Sequence, residues 1–217
     1  MMRYIGKRLF IGTVSLFVLA TAAFFLTRLM PGSPFQSGNG SLEVLEAVEE
    51  EYGLNEPVPV QYKNYILGLV RGDLGISYKK QGVTVNEVIK RAWPVTVSVG
   101  VPAFILAASA GTGFGIWQAL TRSKAVKGTI LIGTSIGAGV PNFVLALVLM
   151  LFFGVQLKIL PIAGLLSPLH YILPVVSLAV YPASVIARLV HNTVVSEMQQ
   201  EYVVMARAKG LSVKRIV

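Results

Sequence analysis

Residues 94–120 read PVTVSVGVPAFILAASAGTGFGIWQAL and contain no charged side chain. A run of that length and polarity is read as a membrane-crossing helix. Working outward, comparable stretches occupy residues 9–29, 128–155 and 171–190. The first, broken only by Arg28, is about 31 Å long as a helix, enough for a hydrocarbon core of about 30 Å. Composition agrees: 54% hydrophobic and 13% charged residues over 217 positions are poor values for a water-soluble fold. The expected fold is therefore an all-α membrane protein, a helical bundle of about four spans. Ala20-Thr21-Ala22 has the small-residue spacing of a signal-peptide cleavage site. However, the apolar run continues through Phe24, Phe25 and Leu26, which reads as a retained first span.

The formal charge of +9 raises nucleic acid as a partner, but the placement of the charges argues against it. Eight of the ten acids lie between Glu43 and Glu87, and the other two are Glu197 and Glu201. Lys and Arg border the spans: Arg3, Lys7 and Arg8 precede the first, Arg122, Lys124 and Lys127 follow the second, and Arg188, Arg207, Lys209, Lys214 and Arg215 surround the end of the fourth. Lys158 alone lies in the loop after the third. The positive-inside rule then places both ends of the chain in the cytoplasm of a multi-pass membrane protein. No cysteine is present, so disulfides, thiolate metal sites and cysteine nucleophiles are excluded.

The expected domain order is a cytoplasmic start and first span (1–30), a small extracytoplasmic cap (31–93), spans two to four (94–193) and a cytoplasmic segment (194–217). In the cap, Ser41 can start a helix carrying Leu42, Leu45, Val48 and Tyr52 on one stripe, with Gly53 placed to end it. A second helix is expected over 58–70, with Tyr62 and Tyr65 available to pack. Turn chemistry follows at Gly72, Asp73, Leu74 and Gly75, then a short extended piece through Ser77 and a third helix near 85–92. Within the spans, Gly111 and Gly115, and Gly133 and Gly137, recur four apart and are expected to let backbones approach closely, in contact with other helices or with a second subunit. Pro141, Pro174 and Pro182 each remove a backbone donor and can kink or loosen a helix.

No HExxH, P-loop or GxSxG motif is present, and no Asp, Glu or Lys lies inside a span. His170 and His191 stand apart at membrane boundaries and read as interfacial hydrogen-bonding residues. Proton-coupled transport usually leaves an ionisable relay in the spans, and its absence here argues that energy for any transport comes from elsewhere. The segment 197–217, EMQQEYVVMARAKGLSVKRIV, is polar, basic and helix-prone. Helix is expected from Val194 to Lys209, with Val194, Met198, Tyr202, Met205 and Ala206 on one side. Gly210 can take the left-handed conformation that ends it, and Ser212 can cap another. Two readings of this segment stay open on physical grounds: a knob gripped by a soluble partner, and an amphipathic helix on anionic lipid.

Glu201-Tyr202-Val203 followed by Ala206-Arg207-Ala208-Lys209-Gly210-Leu211-Ser212 resembles the cytoplasmic loop of ABC importer membrane subunits of the dipeptide, oligopeptide and nickel type. The likeness extends along the chain through Met30-Pro31-Gly32, Tyr52-Gly53-Leu54, Gly72-Asp73-Leu74-Gly75-Ile76-Ser77, Leu160-Pro161 with Gly164, and Leu173-Pro174. It implies that residues 201–212 dock on ATP-hydrolysing subunits, and that ATP and Mg are used there while this chain binds no cofactor and no metal. It also implies a second homologous permease subunit, a solute-binding protein that meets the cap turn, a cytoplasmic-membrane location, and no catalysis by this chain. The general importer loop begins Glu-Ala-Ala; here that triplet is Val204-Met205-Ala206, so only Ala206 and Gly210 match, with Glu201 supplying an acid earlier. Family members continue for about two further spans, so a C-terminal truncation is expected. The rival reading is a non-transporting scaffold or regulatory fragment.

Overall fold

The computed structural model describes residues 1–29, 53–77 and 82–216. The expected helix from Ser41 to Tyr52 and the Met30-Pro31-Gly32 junction lie outside the described residues. The helices are α1 (Met2–Leu29), α2 (Val58–Arg71), α3 (Val85–Leu120), α4 (Lys124–Gly139), α5 (Asn142–Leu149), a π-helical continuation of α5 (Met150–Gln156), α6 (Leu169–Glu197), α7 (Glu201–Ala208) and α8 (Val213–Ile216). Three of them, α1, α3 and α6, are long and apolar enough to cross a membrane. A fourth span exists if α4 and α5 with its continuation form one broken element. The all-α, multi-span expectation is met.

The chain forms two compact units, 1–92 and 93–217. In the first, α1 and α2 pack through aromatics. Phe24 is buried, with ring centroids 5.3 Å from Tyr62 and 5.4 Å from Tyr65. The hydroxyls of Thr21 and Tyr62 share a 2.8 Å hydrogen bond. Arg28 lies over the Phe24 ring at 5.4 Å, so its charge is met by an aromatic face. Gly72, at φ 78, ends α2: the Asp73 N–H donates to the Gly68 carbonyl and the Gly72 N–H to Leu69.

The separate helix expected near 85–92 and the span expected from Pro94 are one helix, α3. Pro94 cannot donate to the Lys90 carbonyl, yet α3 runs on through it and through Pro102, so one lost bond does not end the helix.

The second unit is built on a seam of small residues. Ala103, Ala107, Gly111 and Gly115 recur every fourth residue on α3 and are buried. Facing them on α6 are Val175, Ala179, Ala183 and Ala187. A methyl on Gly111 would stand 2.7 Å from the Ala183 carbonyl oxygen, and one on Gly115 2.6 Å from that of Ala187. Lipid tails are as apolar as these side chains, so the seam is held by close backbone packing rather than by a hydrophobic force. α4 packs on α6 through Ile130, Thr134 and Gly137, all buried, with a methyl on Gly137 pressed against Ser184 and Val180.

Gly133 is exposed, and a methyl there meets nothing of this chain within 4 Å. Within this chain the buried face of α4 runs 130, 134, 137, and Gly133 lies at its edge, about 40° around the helix from Gly137.

The third expected span, 128–155, is not a single straight helix. Val140 is extended at φ −87 and ψ 125, Pro141 follows at φ −59 and ψ 139, and the limbs meet at 108°. Proline disfavours helical backbone in the residue before it and brings no N–H of its own, so Val140-Pro141 ends one helix and starts another. Pro174 and Pro182, by contrast, sit inside a continuous α6.

The buried hydroxyls of Ser184, Ser177 and Thr134 are satisfied by carbonyls of the preceding turn: Ser184 donates to Val180 at 2.8 Å, Ser177 to Pro174 at 3.0 Å and Thr134 to Leu131 at 3.1 Å.

Candidate functional site

The polar end of the chain is a helix, a turn, a helix and a second turn. α6 stops at Glu197, and residues 198–200 form a turn in which Gln200 becomes extended, at φ −69 and ψ 149. α7 then begins at Glu201, an acid in the first turn where the helix dipole favours it, and carries Arg207 in the last turn. Gly210, at φ 79, terminates it: the Leu211 N–H donates to Ala206 at 3.2 Å and the Gly210 N–H to Arg207 at 2.9 Å. That pair of bonds is the Schellman arrangement, and it sets Leu211 and Ser212 at a fixed angle to α7. Ser212 precedes α8 as expected, its carbonyl accepting from Arg215 and Ile216.

The continuous helix expected from Val194 to Lys209 is therefore interrupted at 198–200, and the apolar stripe is re-registered. Val203 is the buried residue, 3% exposed, and Ala206 three positions on is half-buried. Tyr202 and Met205, expected on one side with Ala206, are both 61% exposed, and Val204 is exposed as well. The reason is rotational: a three-residue turn does not preserve helical phase, so side chains in line with α6 before it are turned outward after it. The result is an exposed apolar patch of Tyr202, Val204, Met205 and Leu211 with Arg207, Ala208 and Lys209 exposed around it.

Tyr202 also ties α7 back to the span. Its hydroxyl donates to the Glu197 carboxylate in a short hydrogen bond. That bond, then desolvation and the Glu197 charge, raises the phenol above its ordinary value of 10.0. The donor is thus protonated at all pH values below the ordinary phenol range, and the contact is lost only as pH rises through the raised value. No sequence motif announces this pair, although Glu197 and Tyr202 are five apart and each was expected to be helical.

A second arrangement is the turn 72–77. Its expected residues are held by one side chain that sequence reading missed, Asn86. The Asn86 carbonyl oxygen accepts from the Leu74 N–H at 2.8 Å, and its amide donates to the Gly72 carbonyl at 2.6 Å. Asp73 accepts from the Gly75 N–H at 2.9 Å, and the Ser77 N–H donates to Val83 at 3.0 Å. Asn86 acts as a clamp through both ends of its amide. Asn86→Ala is expected to cost about 0.5–1.5 kcal/mol locally, because both bonds are exposed and water replaces the lost partner. Hydrogen exchange at the Leu74 amide checks this, with faster exchange in the variant as the expected result.

Of the other expected residues, Gly111, Gly115 and Gly137 lie in helix contacts, Gly133 does not, Pro141 makes the break, and the Pro174 carbonyl accepts from Ser177. His170 accepts from the Ser167 N–H through Nδ1 at 3.2 Å, in keeping with a hydrogen-bonding role at the start of α6. His191 Nδ1 and Gln118 Oε1 are buried without a hydrogen-bond partner among the described residues. No cluster of three or more His, Cys, Asp or Glu able to hold a metal occurs among the described residues.

Residues 111–217 match the family model for the binding-protein-dependent transport system inner membrane component, and residues 1–100 match the model for the N-terminal part of such membrane components. The chain is 35% identical, over its whole length and 71% of the relative's, to the dipeptide transport system permease protein DppB of Bacillus subtilis (strain 168). It is 37% identical to the oligopeptide transport system permease protein OppB of Haemophilus influenzae, covering 72% of it. It is 31% identical to the DppB of Lactococcus lactis subsp. cremoris, again over 72% of that protein.

Proposed function

The chain belongs to the family of binding-protein-dependent transport system inner membrane components, and on that premise we propose that it is the permease subunit of an ATP-driven importer of peptides or a related small solute. The observation that carries the mechanism is the exposed patch of Tyr202, Val204, Met205 and Leu211 on a helix locked at both ends. An apolar patch on a rigid polar-rimmed element suits a cleft in a protein partner. The partner is an ATP-hydrolysing subunit in the cytoplasm, where ATP and Mg are bound; this chain supplies no nucleotide-binding residue and hydrolyses nothing.

The lysine and arginine placement supports a cytoplasmic N-terminus in the cytoplasmic membrane, with the cap outside. There the clamped turn at Gly72, Asp73, Leu74, Gly75 and Ser77 offers a fixed backbone surface to a solute-binding protein. The exposed apolar faces of the spans, among them Phe104 and Ile132, meet lipid and a second homologous permease subunit.

Force passes from the docked helix into the membrane by short links. α7 joins α6 through three residues and the Tyr202 to Glu197 bond, and α6 is packed without side-chain slack on α3 and α4. When nucleotide binding moves the docked face, α6 moves with it and shifts against the glycine seam. Tyr202→Phe keeps the aromatic surface and removes the link. It is expected to leave ATPase association intact while lowering uptake per ATP hydrolysed about two- to tenfold, the range of a single hydrogen bond.

The reading is tested by uptake of radiolabelled dipeptides and oligopeptides, beside nickel, in cells with and without this chain. ATP-dependent peptide uptake that requires the chain is expected. Uptake of nickel alone would reassign the solute, and no ATP-dependent uptake would reject the importer reading.

A further inference from the structure

The break at Val140-Pro141 lies at mid-height of α6. Gly137 abuts Val180 and Ser184, and a cavity of about 360 Å³ beside it is lined by Ala138, Gly139, Val140, Pro141, Asn142 and Tyr181. Tyr181 is twelve residues from Leu169 and sixteen from Glu197, about 18 and 24 Å along the helix, so the cavity sits well inside the span. Backbone polar groups cannot face hydrocarbon there; irregular backbone at that depth must be buried in protein or line an aqueous path.

Several such groups are left open. Pro141 has no N–H to give the Gly137 carbonyl. Among the described residues, neither the Asn142 nor the Phe143 N–H donates to Ala138 or Gly139, although the Val140 N–H still reaches Ile136 at 2.9 Å. The Asn142 amide and the Tyr181 hydroxyl make no hydrogen bond among the described residues, and both side chains are exposed. The main chain of another transmembrane helix could not satisfy these carbonyls, because a helix has spent its own N–H groups and has only side chains or trapped water to offer. An extended peptide has not: it presents N–H and C=O groups along its whole length.

We propose that this break is a binding site for the main chain of the transported peptide. The carbonyls of residues 138 and 139, which line the cavity, accept from peptide N–H groups, and the Asn142 amide and Tyr181 hydroxyl donate to peptide carbonyls. The site reads what all peptides share, so it discriminates little between side chains. The inference rests on the importer reading and extends it to a place in the bundle.

The absence of cysteine makes the test clean. Ala138→Cys and Asn142→Cys are made singly in this chain, with Ile132→Cys, on an exposed apolar face of α4 away from the break, as the comparison. The complete importer is reconstituted with its solute-binding protein and treated with a charged, membrane-impermeant methanethiosulfonate, with and without trialanine and ATP. Peptide uptake by the unsubstituted importer is measured in the same vesicles.

Ala138→Cys and Asn142→Cys are expected to react several-fold faster than Ile132→Cys, and trialanine is expected to slow both several-fold. Reaction no faster than at Ile132→Cys places the break against lipid or the second subunit and overturns the site. Fast reaction that trialanine does not slow makes the cavity a water path without a peptide site and overturns it equally. Either result alongside normal peptide uptake removes the site alone, whereas no peptide uptake removes the importer reading and this inference with it.

Discussion

Gly115→Val is expected to stop the 93–217 unit from packing. Its first added carbon would stand 2.6 Å from the Ala187 carbonyl oxygen and 2.7 Å from Val190 Cβ. A flexible side chain could yield, but a helix carbonyl cannot move without carrying its helix. Overpacking costs about 1–3 kcal/mol where neighbours can adjust, and a backbone obstacle puts this case at or above the top of that range. Gly111→Val meets the Ala183 carbonyl in the same way. The comparison is Gly133→Val, whose site is open and whose cost is expected within about 0.5 kcal/mol. Thermal unfolding of the purified protein in detergent checks this, with a large loss for Gly115→Val and little change for Gly133→Val. Equal behaviour of the two would show that the seam is not the contact holding α3 to α6.

Gly210→Pro is the second large effect, and it acts on function rather than on the bundle. The native φ of 79° is opposite in sign to the value of about −65° that proline imposes. The substitution also deletes the N–H that bonds Arg207 and redirects the chain carrying the Leu211 bond to Ala206. Membrane insertion is expected to be normal and co-purification with the ATPase subunits to be lost. Met205→Glu reaches the same end by another route, placing a charge in the exposed apolar face without touching the turn. Gly210→Ala, which pays only the left-handed penalty of about 1–2 kcal/mol, is expected to weaken association without abolishing it. Survival of co-purification in both Gly210→Pro and Met205→Glu would separate the segment from ATPase docking.

What could be read in the sequence follows the range over which each feature is determined. Spans were legible because long apolar runs have one solvent that suits them. Gly210 was legible because its backbone demand is local, as were the turn glycines at 72 and 75. Gly111 and Gly115 share one spacing with Gly133 and Gly137, yet within this chain Gly133 meets no helix. Which face of α4 is buried is decided by α6, and a four-residue interval between glycines carries no information about it. Pro141 was marked as a weakness, yet the 108° change of direction depends on Val140 and Pro141 together taking extended backbone. The outward rotation of Tyr202 and Met205 was hidden in a three-residue turn with no glycine or proline to announce it. Asn86 escaped because its partners lie 12 and 14 residues away, and an asparagine beginning a helix looks ordinary until the loop it holds is seen.

The central claim, that residues 201–212 are the docking segment of an ATP-driven permease, is tested most directly by cross-linking from Met205→Cys. The protein has no other cysteine to compete. In the assembled importer, a short bifunctional reagent is expected to join Met205→Cys to an ATPase subunit, and Gly210→Pro in the same chain is expected to remove that product. Modification of Met205→Cys by a lipid-partitioned probe, with no ATPase product in any nucleotide state, would place α7 on the membrane surface and contradict the account.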